Sequence, residues 1–174
     1  GGVGKSSLTL IEALACATNR ALLADKPARP LRVWSWNGED PADELDRRAV
    51  AAAIHHGLTD AEIGGRFFQT SGRDFPIKTV KVGPGGQPVV QQTVVDQLVN
   101  HLIGQQIDVL IVDPFVSTHD APENDNTAMN AAVAAWREVA DRAQCAVMLV
   151  HHVSKAAALD GDSQGIYGSR GGGA

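Results

Sequence analysis

Gly1, Gly2, Val3, Gly4, Lys5 and Ser6 open the chain as the last six positions of the pattern G-x-x-x-x-G-K-[ST], with Ser7 beside them. Glycines in such a loop let successive backbone N–H groups turn inward onto phosphate oxygens, where a Cβ would obstruct the approach. A helix that opens at the same point adds its positive N-terminal end. Lys5 has the reach for β- and γ-phosphates, and the Ser6 hydroxyl can ligate Mg²⁺. The chemistry implied is the binding of a nucleoside triphosphate, ATP with Mg²⁺.

A phosphate loop of this kind calls for an acid facing it. Asp113 closes the apolar run Val109-Leu110-Ile111-Val112, where a carboxylate can hold Mg²⁺ opposite Ser6. Hydrolysis further requires a group that orients or deprotonates water. The position directly after Asp113 is Pro114, so the candidates move to Asn37-Gly38-Glu39-Asp40, with Glu39 as general base and Asp40 second. The plainer reading of these two acids is that they favour the N-terminus of the helix that follows.

His151-His152 end the last apolar strand. A histidine there could sense a γ-phosphate; neighbours on extended backbone face opposite ways, so one of the two can do so, and His152 is favoured. Arg170, in GSRGGGA, could act as a finger in the ATP site of a neighbouring subunit, and Lys155 is a further tail cation. Both also read as ordinary solvated surface cations. His55-His56 falls at a helix end, where a solvated pair is the better reading.

The elements that would position these groups alternate. Helices are expected over Lys5 to Asn19, from Pro41 (in the first turn) to about His56, over Thr93 to Gln105 and over Asn126 to Ala143. Strands are expected at Leu31 to Trp36, Phe67 to Thr70, Val109 to Asp113 and Ala146 to Val150, the last two buried on both faces as in a parallel sheet. Ile77 to Val82 and Pro88 to Gln91, separated by GPGG, read as a hairpin. The run His119 to Asn126 reads as a polar loop, and Ser154 to Ala174 as another. Alternating strands and helices make an α/β sandwich.

At 174 residues and 44% hydrophobic, the chain suits one well-cored domain. A formal charge of -5 excludes a generally basic nucleic-acid surface, so any nucleic acid must meet a local patch or one pooled between subunits. Cys16 and Cys145 sit in apolar runs and read as buried structural thiols. With no membrane-length apolar run and no leader, a soluble cytoplasmic protein is expected. The expected unit is a single domain over 1–174, cut at both ends, its first strand lying ahead of the loop.

GGVGKSS, WNGEDP, VLIVDPF, ENDN and LVHHVSK followed by GSRGGGA, in that order, resemble the RepA-like hexameric replicative helicases of plasmids and phages. These are RecA-like P-loop ATPases of the RecA/DnaB branch, AAA family ATPases of plasmid or phage type. The resemblance implies a three-layer RecA-like P-loop NTPase sandwich with a mostly parallel sheet. It implies a homo-oligomeric ring, hexameric in the family, with ATP between neighbours and single-stranded DNA as partner. It also assigns Lys5 and Ser6 to phosphate and Mg²⁺, Glu39 to catalysis, Asp113 to metal, His152 to phosphate sensing and Arg170 to the finger. A DNA-dependent motor is thus the first expectation, a non-motor ATP-binding regulatory or assembly module the second, and a small-molecule kinase the third.

Overall fold

The computed structural model describes residues 4–122 and 124–151. In chain order these form α1 (Lys5–Thr18), β1 (Val33–Asn37), α2 (Ala42–His55), the single turn α3 (Asp60–Ile63), β2 (Phe67–Ser71), β3 (Val80–Val82), β4 (Pro88–Val90), α4 (Gln92–Gly104), β5 (Val109–Asp113), α5 (Asn126–Ala143) and β6 (Ala146–Leu149). A 3₁₀ turn, Phe115–Thr118, follows β5.

Four strands make a parallel sheet in the order β2-β1-β5-β6, while β3 and β4 pair antiparallel as a separate hairpin. Parallel neighbours need long crossovers, and α2, α4 and α5 provide them. Side chains alternate across each strand, so the two sheet faces bury different sets. Trp34, Trp36, Leu110 and Val112 pack with Leu98 and Leu102 of α4 and Ala132, Trp136 and Val139 of α5. On the other face Val33 and Ile111 meet Ala13 and Ala17 of α1. Helices therefore flank a parallel sheet on both sides, the α/β sandwich that the strand and helix alternation leads one to expect and the RecA-like P-loop arrangement that the resemblance implies.

Register brings the strand ends level. Asn37 is paired with Ser71 on one side and Asp113 on the other, and Ser35 with Gln69 and Ile111. Along the α1 face the rows thus run from Phe67-Val33-Val109 at the amino end to Ser71-Asn37-Asp113 at the carboxyl end. Apolar side chains fix the base of the face against α1, and polar ones collect where the strands stop. That polar end is the one a ligand meets in an open parallel sheet.

Several elements depart from expectation. Pro41 is the N-cap of α2, in extended conformation, and the helix starts one residue later. Strand β6 is not buried on both faces: Ala146 and Met148 are exposed, because among the described residues β6 pairs with β5 alone and forms the sheet edge. Cys16 is half-buried rather than buried, and Cys145 is buried; both are free thiols. The 119–126 loop is less solvated than its polarity suggests. His119 is 3% exposed and packs its ring 4.7 Å from that of Phe115, and Asp125 caps α5 through Thr127 and Ala128 N–H. The short α3 went unforeseen although Thr59 and Glu62 form a full capping box. Among the described residues no helix is long and apolar enough to cross a membrane.

Candidate nucleotide site

Gly4 precedes α1 with φ 77° and ψ 12°, a left-handed conformation that glycine adopts without the Cβ penalty of other residues. No side chain caps this helix start. Its first N–H groups keep their hydrogen-bonding capacity and the helix dipole points there, a combination suited to an anion. Lys5 folds across the site: its Nζ donates to the main-chain carbonyl of His151 at 3.3 Å. Thr9 Oγ1 donates to the Ser6 carbonyl at 3.1 Å and stiffens the first turn. Gly1, Gly2 and Val3 lie outside the described residues.

Asp113 is 4% exposed at the end of β5. It shares one small cavity with Ser6, Thr9, Ser35, Asn37 and Gln69. A serine hydroxyl from the first turn of α1 and a buried carboxylate from β5 therefore converge on one space. Hard oxygen donors of this kind are what Mg²⁺ takes, so these residues fit the ion.

Glu39 and Asp40 follow β1 and differ in their surroundings. The Asp40 carboxylate is engaged by Arg48 of α2, with Nη1 to Oδ2 at 2.7 Å. Glu39 is exposed, and its carboxylate has no hydrogen-bond or ion-pair partner among the described residues. Of the two acids, Glu39 is thus the one at liberty to meet a water. Its backbone is tied down: Asn37 Oδ1 accepts from the N–H groups of Glu39 (2.9 Å) and Asp40 (2.8 Å), and Gly38 N–H donates to the Asp113 carbonyl at 2.8 Å. Gly38 has to be glycine for space. A Cβ there would stand 2.6 Å from Ser117 Cβ and 2.8 Å from Trp36 Cη2.

The structure brings Lys5, Ser6 and Asp113 to the carboxyl end of the sheet, with Glu39 on the loop leaving that same end. Ser7 lies in the first turn of α1 and is exposed. The ring of His151 stands 6.3 Å from Phe115, and its carbonyl is the acceptor for Lys5. His152, Lys155 and Arg170 lie outside the described residues. His55 and His56 form a ring pair 4.8 Å apart at the far end of α2.

Sequence reasoning passed over Asn37, Gln69, Ser71 and Arg73. Asn37 is weighed only as part of the run that carries Glu39 and Asp40, whereas an asparagine two and three residues ahead of two acids is also the signature of a side chain that caps their amides. No local signal marks Arg73, whose guanidinium Nε reaches the Glu39 carbonyl at 2.8 Å from the end of a different strand.

A family model described as an AAA domain, AAA_25, matches residues 1–158. No curated protein matches the chain.

Proposed function

Because the chain belongs to the AAA domain family AAA_25, and so has an ATPase-type nucleotide-binding function, we propose that it is an ATP-hydrolysing motor of the RecA/DnaB type, a replicative helicase moving on single-stranded DNA. The supporting observation is that Ser6 and the buried Asp113 line one cavity at the sheet end from which the loop of Glu39 leaves, its carboxylate unpaired among the described residues.

In this reading the glycine loop and Lys5 bind the phosphates, and Lys5 exchanges the His151 carbonyl for phosphate oxygens. Ser6 and Asp113 hold Mg²⁺, which when bound neutralises charge on the β- and γ-phosphates. Glu39 takes a proton from water as the water oxygen bonds to the γ-phosphorus. The bond from that phosphorus to the bridging oxygen breaks, and ADP leaves with the electron pair. His152 senses the γ-phosphate, and Arg170 reaches the site of the next subunit in a homo-oligomeric ring, a hexamer by resemblance.

The test is the ATPase rate of the protein at its natural length, with and without single-stranded DNA, beside Lys5→Ala. Stimulation by DNA together with a ring-sized native mass is expected. An unstimulated rate and no ring would remove the motor. The charge of -5 favours one other reading, a non-motor ATP-binding regulatory or assembly module; there Glu39→Gln would leave function intact.

A further inference from the structure

We infer that Asn37 and Arg73 are positioning residues for Glu39, a role that rests on Glu39 acting as the base proposed above. An exposed carboxylate on a loop wanders unless its backbone is fixed, and here the backbone of Glu39 is held by side chains at both its polar groups. Asn37 Oδ1 accepts from Glu39 N–H at 2.9 Å, and Arg73 Nε donates to the Glu39 carbonyl at 2.8 Å. The backbone of the next residue is held in the same way: Asp40 N–H donates to Asn37 Oδ1 at 2.8 Å, and Ser71 Oγ donates to the Asp40 carbonyl at 2.7 Å.

The gripping side chains come from two strand ends, β1 for Asn37 and β2 with its following turn for Ser71 and Arg73. Parallel pairing places these ends level, Asn37 opposite Ser71, and Gly72 N–H extends the ladder to the Asn37 carbonyl at 2.7 Å. An asparagine turn by itself would serve merely to start α2. A guanidinium crossing from the neighbouring strand to the carbonyl of the acid has no part in starting that helix. Arg73 is exposed and has no ion pair among the described residues; its backbone N–H donates to Ser71 Oγ at 3.2 Å, and the one described bond of its guanidinium is this grip on Glu39. With both peptide groups fixed, the side-chain torsions of Glu39 alone decide where its carboxylate sits.

Steady-state ATP hydrolysis by the natural-length protein tests this, with Mg-ADP affinity measured alongside. Asn37→Leu and Arg73→Met should each lower kcat on the order of 10-fold or more, as misplacement of a reacting group does, with Mg-ADP affinity unchanged in Arg73→Met, which lies outside the cavity lining. Asn37→Ser restores an acceptor and Arg73→Lys a donor, and each should recover most of the loss. In a Glu39→Gln background the same changes should cost nothing further, since residues acting through one group are not additive. Equal losses in both backgrounds, or a loss of nucleotide affinity instead of kcat in Arg73→Met, would overturn the positioning role. Full activity of Glu39→Gln would instead remove the base itself. Asn37 is buried; if Asn37→Leu fails to fold, the exposed Arg73→Met decides the question alone.

Discussion

The ammonium of Lys5, in the first turn of α1, donates to the carbonyl of His151 just beyond β6, 146 positions further along the chain. This contact joins the start of α1 to the residues just beyond β6, and it occupies the lysine with a neutral acceptor that an anion would displace. Replacing Lys5 with Met should weaken Mg-ATP binding by about 1.5–3 kcal/mol, the worth of hydrogen bonds to a charged group, or roughly 10–100-fold in Kd. Titration calorimetry reads this directly, and stability without nucleotide should change little because the bond is exposed.

Asp113→Asn keeps the shape of the buried side chain and removes its charge. Hydrolysis should fall on the order of 100-fold, with far more Mg²⁺ needed to reach the remaining rate. Chelating the ion should abolish hydrolysis in the parent protein. A rate unaffected by either change would take Asp113 out of the metal site.

Gly38→Ala sets a methyl group against Ser117 and the Trp36 ring in a space already filled. Overpacking of this kind costs about 1–3 kcal/mol, which urea unfolding would measure. Pairing it with Ser117→Gly relieves one of the two clashes and should return part of the loss.

At the opposite end of the sheet, Asp108 accepts from both terminal nitrogens of Arg29 and from the Arg32 amide. The Arg29 hydrogen bond is the main cause that holds its carboxyl below the ordinary aspartate value near 3.8. A carboxyl depressed on folding adds stability above its unfolded value, and that increment disappears as pH falls through the folded one. Asp108→Asn should therefore cost about 1 kcal/mol near pH 7, with the gap to the parent closing below roughly pH 4. A gap that stays constant down to pH 2.5 would mean the charge contributes nothing.

Much of the fold could be read locally. The bounds of α5 follow from an unbroken helical run between the cap at Asp125 and the left-handed Gln144, and β5 is marked by its continuous apolar stretch. What escaped was non-local. The partial exposure of β6, which among the described residues pairs with β5 alone, depends on sheet order, which the sequence of that strand does not encode, so its apolar run read as buried. The site divides in the same way. Gly4, Lys5 and Asp113 are motif positions, each recognisable as a candidate by itself, while Gly1, Gly2 and Val3 lie outside the described residues. The difference between Glu39 and Asp40 comes from Arg48, two turns into α2, and the hold on Glu39 comes from Arg73 on the far side of β1. Those partners are found only once parallel register has set the strand ends side by side.

The indole of Trp36 lies beneath the same loop. Its ring carbons come within 2.6–2.8 Å of where a Cβ on Gly72 or Gly38 would stand, and its N–H donates to the Phe75 carbonyl at 2.8 Å. The chromophore is thus sandwiched against the two turns that carry Glu39 and Arg73, while Trp136 is 1% exposed in the layer beyond. The protein consequently contains its own optical gauge. With Trp34 and Trp136 replaced by phenylalanine, the emission of Trp36 would register each rearrangement of that loop during turnover, with no dye attached.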